Sequence, residues 1–180
     1  MAITQELREF VRQRAHFACE YCGVREIDAG NHLTVDHFRP VAKDGDDSLG
    51  NLVYCCIHCN QYKRDYWPTL PTHPHLWNPR IEPASTHLLL VEDGVLQALT
   101  STGRFTIHLL HLNRSALVAY RQKRQQEAMQ VATLTQLREL TQVYDQLLGQ
   151  QMQLITQQRQ LIEAQQLLLR QLLGGIPYLP

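Results

Sequence analysis

At 180 residues the chain is long enough for one domain with its own core plus an appended segment, and short for two full-sized domains. Its 17 Lys and Arg balance 17 Asp and Glu, so any contact with nucleic acid must come from a local patch and not from bulk charge. The opening residues lack the apolar core of a secretory signal, and no stretch approaches the roughly 18 uninterrupted apolar residues of a membrane span; the expectation is a cytoplasmic protein with no membrane contact.

Residues 3 to 17 place Leu7, Phe10, Val11 and Phe17 near helical spacing among charged neighbours, which predicts an amphipathic helix leading into the first cysteines. Leu33 and Val35 alternate with polar residues as a short strand does. The turn-forming Asp44-Gly45-Asp46-Asp47 then precedes Leu52 and Val53, which predicts a hairpin with a long connection. A short helix is expected from Ile57 to Tyr66, since no breaker intervenes before Pro68. Five prolines between Trp67 and Pro83 exclude a helix or a central strand there; Trp67, Leu76 and Trp77 mark the segment as a loop wrapped on the core. A second hairpin follows, His87 to Val91 and Val95 to Leu99 around Asp93-Gly94. From Asn113 to Leu173 there is no proline, and leucine and glutamine dominate, which predicts one long helix or two.

In that tail Leu140, Leu147, Leu154, Leu161 and Leu168 recur every seven residues, and Leu148, Ile155, Ile162 and Leu169 follow four of them directly. A stripe of this kind needs a covering helix. It is completed by a second copy of the chain, by another protein, or by folding back at Gly149 onto residues 117 to 144.

Cys19-Glu-Tyr-Cys22 and Cys56-Ile-His-Cys59 are two C-x-x-C pairs, and each gap lets both thiolates face one ion from a tight turn. Without an export signal the pattern favours metal over disulfides. Zinc takes four thiolates tetrahedrally and then has no open position, so its role here is structural. Cys55 lies outside the pattern. The loop that the ion closes contains Asp36, His37 and Asn51.

Cutting a phosphodiester requires a deprotonated water, a cation on the scissile phosphate and charge relief for the leaving oxygen. An imidazole can take a proton from water near neutral pH, which makes His37 the candidate base. Asp36 and Asn60 offer hard oxygens suited to magnesium or manganese.

The ordered text C-E-Y-C at 19–22, D-H-F-R-P at 36–40, G-N-L at 50–52 and C-I-H-C-N-Q-Y-K at 56–63 resembles the HNH endonuclease family, in the subgroup whose motif is bracketed by two C-x-x-C pairs. The resemblance implies a ββα-metal core with His37 as general base, Asn51 orienting that histidine and its loop, and Asp36 and Asn60 as ligands of the catalytic ion. Asparagine at the last position makes this an H-N-N variant, and an amide binds more weakly than imidazole, which shifts preference toward magnesium or manganese. Where the family often has two adjacent glycines, this chain has Asp44-Gly45-Asp46-Asp47, acids that suit a phosphate only if they face solvent. Lys63 and Arg64 follow Asn60 by one helical turn and are expected to hold phosphate, with Arg39 and Lys43 as further candidates. Residues 78–80, the second hairpin and 103–114 are similar to an extension of many bacterial HNH proteins, to which no chemistry is assigned.

The fold class expected is therefore α+β: an HNH core with a four-cysteine zinc site, a second hairpin and a long helical C-terminal extension. Residues 1–112 are expected to form the nuclease domain, with motif core 19–66 and extension 67–112, and 113–180 a helical, leucine- and glutamine-rich segment for oligomerisation or partner docking, with a coiled coil as one form. The expected function is metal-dependent hydrolysis of DNA, by analogy in a bacterial defence or mobile-element system. The alternative is a noncatalytic zinc-stapled module that binds nucleic acid or serves as an adaptor.

Overall fold

The computed structural model of the chain describes residues 3–174, with side chains through 172. Residues 175–180, which the sequence reading assigned to the tail, lie outside the described residues. Two compact units divide between Gln126 and Glu127.

The first unit opens with helix α1, Gln5–Arg14, capped by the Thr4 hydroxyl, which accepts from Leu7 N at 3.3 Å. It stops where His16 and Phe17 turn left-handed, at φ 51° and 58°. A short α2, Glu26–Ala29, precedes β1, Thr34–His37, which pairs antiparallel with β2, Leu52–Cys55. Helix α3 spans Ile57–Lys63.

The register pairs Thr34 with Cys55, Val35 with Tyr54, Asp36 with Val53 and His37 with Leu52. Because side chains alternate along a strand, one face carries Thr34, Asp36, Val53 and Cys55, and the other Val35, His37, Leu52 and Tyr54. Val53 and Cys55 join the core formed with the cysteines, Tyr21 and Trp77, while Leu52 and Tyr54 pack with Val11 of α1. The hairpin is thus a partition between two small cores. On the α1 face Arg12 ties α1 to α2, bonding Glu26 at 2.7 and 2.8 Å, and Glu26 in turn accepts from the Tyr54 hydroxyl.

The proline-rich loop wraps as expected: Leu76 and Trp77 are buried, with the Trp77 ring edge-on to Tyr21 at 6.3 Å. The second hairpin is present but shorter than predicted, β3 at Leu88–Leu90 and β4 at Leu96–Ala98. Its turn requires Gly94, whose φ is 77° and where a Cβ would lie 2.7 Å from Val118 O. Helix α4, Ser101–Leu109, was not foreseen; the Thr100 hydroxyl caps it by accepting from Gly103 N at 3.0 Å.

Helix α5 runs without interruption over Ser115–Gly174. Its first turns belong to the first unit, because buried Arg121 donates to Gly94 O and Leu112 O at 2.6 and 2.8 Å and Gln125 to Val91 O at 3.0 Å. The unit therefore extends past residue 112. The fold-back at Gly149 does not occur: that residue is helical, and one glycine lowers helix stability by only about 1 kcal/mol. The architecture is α+β, with small hairpin sheets, a four-cysteine cluster and a long C-terminal helix. Among the described residues no helix is long and apolar enough to cross a membrane.

Candidate functional site

Cys19 and Cys22 sit in a turn that follows α1 and the bridge of Ala18 to Arg25, and Cys56 and Cys59 open α3, Cys56 as its cap. All four are buried and unoxidised, and their sulfurs lie within 4.8 Å of one another. A tetrahedral zinc with bonds of about 2.3 Å sets sulfurs about 3.8 Å apart, and Cys22 Sγ stands 3.7 Å from Cys56 Sγ. In each pair the second cysteine's amide donates to the first sulfur at 3.4 Å, as suits a thiolate. Sharing hydrogen bonds with Cys19 pushes the Cys22 and Cys59 thiols above their ordinary range; a divalent cation is what lets all four ionise together. The donor set fits structural zinc. Cys55 stays apart from it, its thiol pushed up by burial.

His37 ends β1, and its Nε2 lies 2.7 Å from Asp47 Oδ1. Asp47 comes from the acidic turn that the sequence reading could place beside phosphate only if it faced solvent; at 40% exposure it is turned instead to the imidazole. Asn51 fastens the same loop at three points: its Oδ1 accepts from Arg39 N at 2.7 Å, and its Nδ2 donates to Arg39 O at 3.1 Å and Asp46 O at 2.8 Å. Gly45 lets the strands of the loop touch, since a Cβ there would stand 1.8 Å from Arg39 O.

Asp36 points to the opposite face. Its Oδ2 is buried 2.8 Å from Lys63 Nζ, and 18% of the side chain remains exposed. Lys63 is fully buried and also donates to His37 O at 2.7 Å. It therefore does not face a phosphate as expected; it neutralises Asp36 and holds the peptide of His37. The signal was present in the spacing, because Lys63 follows buried Cys59 by four residues and so shares its inward face. Asn60 lies one turn before Lys63, half-buried. Asp36 on β1 and Asn60 on α3, the expected ligands of a hard divalent ion, offer one carboxylate and one amide.

Of the other cations, Arg39 stacks 5.3 Å over Trp67 and reaches Asp44 at 3.3 Å, with 42% of its side chain exposed. Arg64 is exposed at the end of α3. Two concavities flank these residues. One of about 730 Å³ is lined by Phe38, Arg39, Asp46, Asn51 and Trp67. Another of about 640 Å³ takes Thr34, His58, Asn60 and Arg114, so Asn51 and Asn60 do not share a cavity. Asp47 was missed because its contact depends on the path of a turn, which no periodicity encodes.

Residues 19–65 match the family model described as HNH endonuclease. Neither the curated proteins nor the solved structures contain a match to the chain. The segment matched holds both cysteine pairs, His37, Asn51 and Asn60, and it implies a nuclease or nucleic-acid-binding function.

Proposed function

We propose that the HNH endonuclease segment at residues 19–65 makes this chain a divalent-metal-dependent endonuclease that hydrolyses the phosphodiester bonds of DNA. The observation that carries the reading is His37 held at 2.7 Å by Asp47 on a loop fastened by Asn51, inside the matched segment.

In this mechanism His37 takes the tautomer whose Nε2–H donates a hydrogen bond to Asp47, which leaves Nδ1 as the nitrogen that takes the proton of the attacking water. Asn51 is a positioning residue, setting the loop from which Asp47 reaches the ring. Asp36 and Asn60 would hold one magnesium or manganese ion, which supplies charge stabilisation on the scissile phosphate; because Asp36 and His37 leave β1 on opposite faces, that phosphate would have to lie at the open end of the strand to reach both. Arg39 and Arg64 would draw in phosphate oxygens, and Lys63 steadies Asp36 and the His37 peptide from within. Zinc at the four cysteines holds β2 and α3 in place and takes no part in the chemistry.

Cleavage of supercoiled plasmid by the zinc-loaded protein tests this. Nicking or linearisation that needs magnesium or manganese, and that falls at least about 100-fold in His37→Ala, is the expected result. A His37→Ala protein cutting at the wild-type rate would remove the mechanism.

The Lys63–Asp36 pair favours one second reading, a noncatalytic zinc module, since a cation already sits on the carboxylate meant for the ion. That module would bind nucleic acid with a strong salt dependence and yield no product.

A further inference from the structure

In the second unit every residue from 128 to 172 is exposed, the large apolar ones included. At about 100° per residue, Leu147, Leu154, Leu161 and Leu168 form one column along the helix. Leu148, Ile155, Ile162 and Leu169 form a second, about 100° around it. Gln151, Gln158 and Gln165 repeat at the same interval and fall between the two. The stripe is apolar along both flanks and carries a line of amides down its centre.

We propose that the occupant of this stripe is a second copy of the same chain, paired in a coiled coil whose interior includes glutamine layers at residues 151, 158 and 165. The repeat persists beyond three heptads, the length at which a coiled coil becomes the reading of choice. A wholly apolar partner would bury the central amides without hydrogen bonds, which is unfavourable. A second copy brings the same amides, each with donors and an acceptor to satisfy the other. Charge agrees: between 140 and 172 the charged residues are Asp145, Arg159, Glu163 and Arg170, two of each sign. The segment neither repels its own copy nor demands a partner of opposite charge. The glutamine layers reduce stability relative to leucine and fix the pairing, the usual role of a polar residue in a coiled-coil core.

The test uses the full zinc-loaded chain, and its outcome does not depend on nuclease activity. Sedimentation equilibrium at about 10 μM is expected to give at least twice the chain mass of 20.8 kDa. The double variant L154E/L161E is expected to be monomeric while retaining one zinc per chain and the wild-type tryptophan emission, which shows that the first unit is intact. Gln158→Leu is expected to tighten association at least about ten-fold and raise the melting temperature of the helical circular dichroism. A monomeric wild type overturns the proposal, as does an oligomer unmoved by L154E/L161E. A Gln158→Leu protein with unchanged association places residue 158 outside the interface and overturns the layered core.

Discussion

The two ends of the partitioning hairpin are held by different means. At the cysteine end four buried sulfurs converge within 4.8 Å of one another, and one ion would lock two separate turns. At the histidine end the loop from Phe38 to Asn51 is held by dispersed hydrogen bonds, three of them from the Asn51 side chain and others within the loop and from Arg14 to Leu49 O, with a partly exposed His37–Asp47 pair. The first arrangement depends on all four sulfurs at once, whereas the second is spread over bonds that can be removed one at a time.

Substitutions at the two ends should separate these roles. Cys59→Ser should have the largest effect, because structural zinc contributes on the order of 10 kcal/mol to small zinc domains. Loss of bound zinc and of cooperative unfolding, read by metal analysis and circular dichroism, is the expected result, and a variant that melts like wild type would deny the ion its structural role. Asn51→Ala should keep zinc and fold but loosen the loop, lowering stability by about 2 kcal/mol and plasmid cleavage by roughly 100-fold. Equal cleavage by that variant would mean the loop does not set His37. Asp47→Asn should lower cleavage by about ten-fold, less than for a buried histidine partner because Asp47 is partly exposed. A shifted pH–rate profile would accompany the loss, and an unchanged profile would leave Asp47 a bystander.

The smallest effect lies on the α1 side. Hydrogen bonds from Arg12, with help from Tyr54, hold the Glu26 carboxyl down at about 2, below its usual 4.5. A depressed folded-state value gives stability that is present above pH 4.5 and is lost as pH falls toward 2. Glu26→Gln should therefore narrow the stability difference between neutral and acid pH relative to wild type, and acid titrations of the two that superimpose would show that the Arg12 pair contributes nothing.

How much of this was legible in the sequence follows from which contacts are periodic. The cysteine pairs and the strand carrying Val35 announced themselves through spacing, and the helix after Cys56 through the lack of a breaker before Pro68, though it ends at Lys63 and not at Tyr66. The structure brings Cys19, Cys22, Cys56 and Cys59 together as their spacing implied. The second hairpin was legible from Asp93-Gly94. Helix α4 was hidden because Ser101, Thr102 and Gly103 are weak helix formers, and tertiary contact overrides them: Thr106 is fully buried and its hydroxyl accepts from Trp77 N at 2.9 Å. Asp47 was hidden for another reason, since only the three-dimensional course of a turn brings it to a residue ten positions earlier. Lys63 was visible as a charge, and its type suggested solvent, while its place on the helix face pointed inward.

That buried lysine gives the proposed ion site its own counter-ion. A carboxylate destined for magnesium is commonly a burden on the empty protein, because an unbalanced charge in a dry setting opposes folding. Here the ammonium of Lys63 already balances Asp36, so this carboxylate would not oppose folding in the absence of a catalytic ion. If Asp36 ligates an ion as proposed, occupancy would be a matter of exchange against an internal cation, and removing that cation would trade fold stability for a stronger hold on the metal.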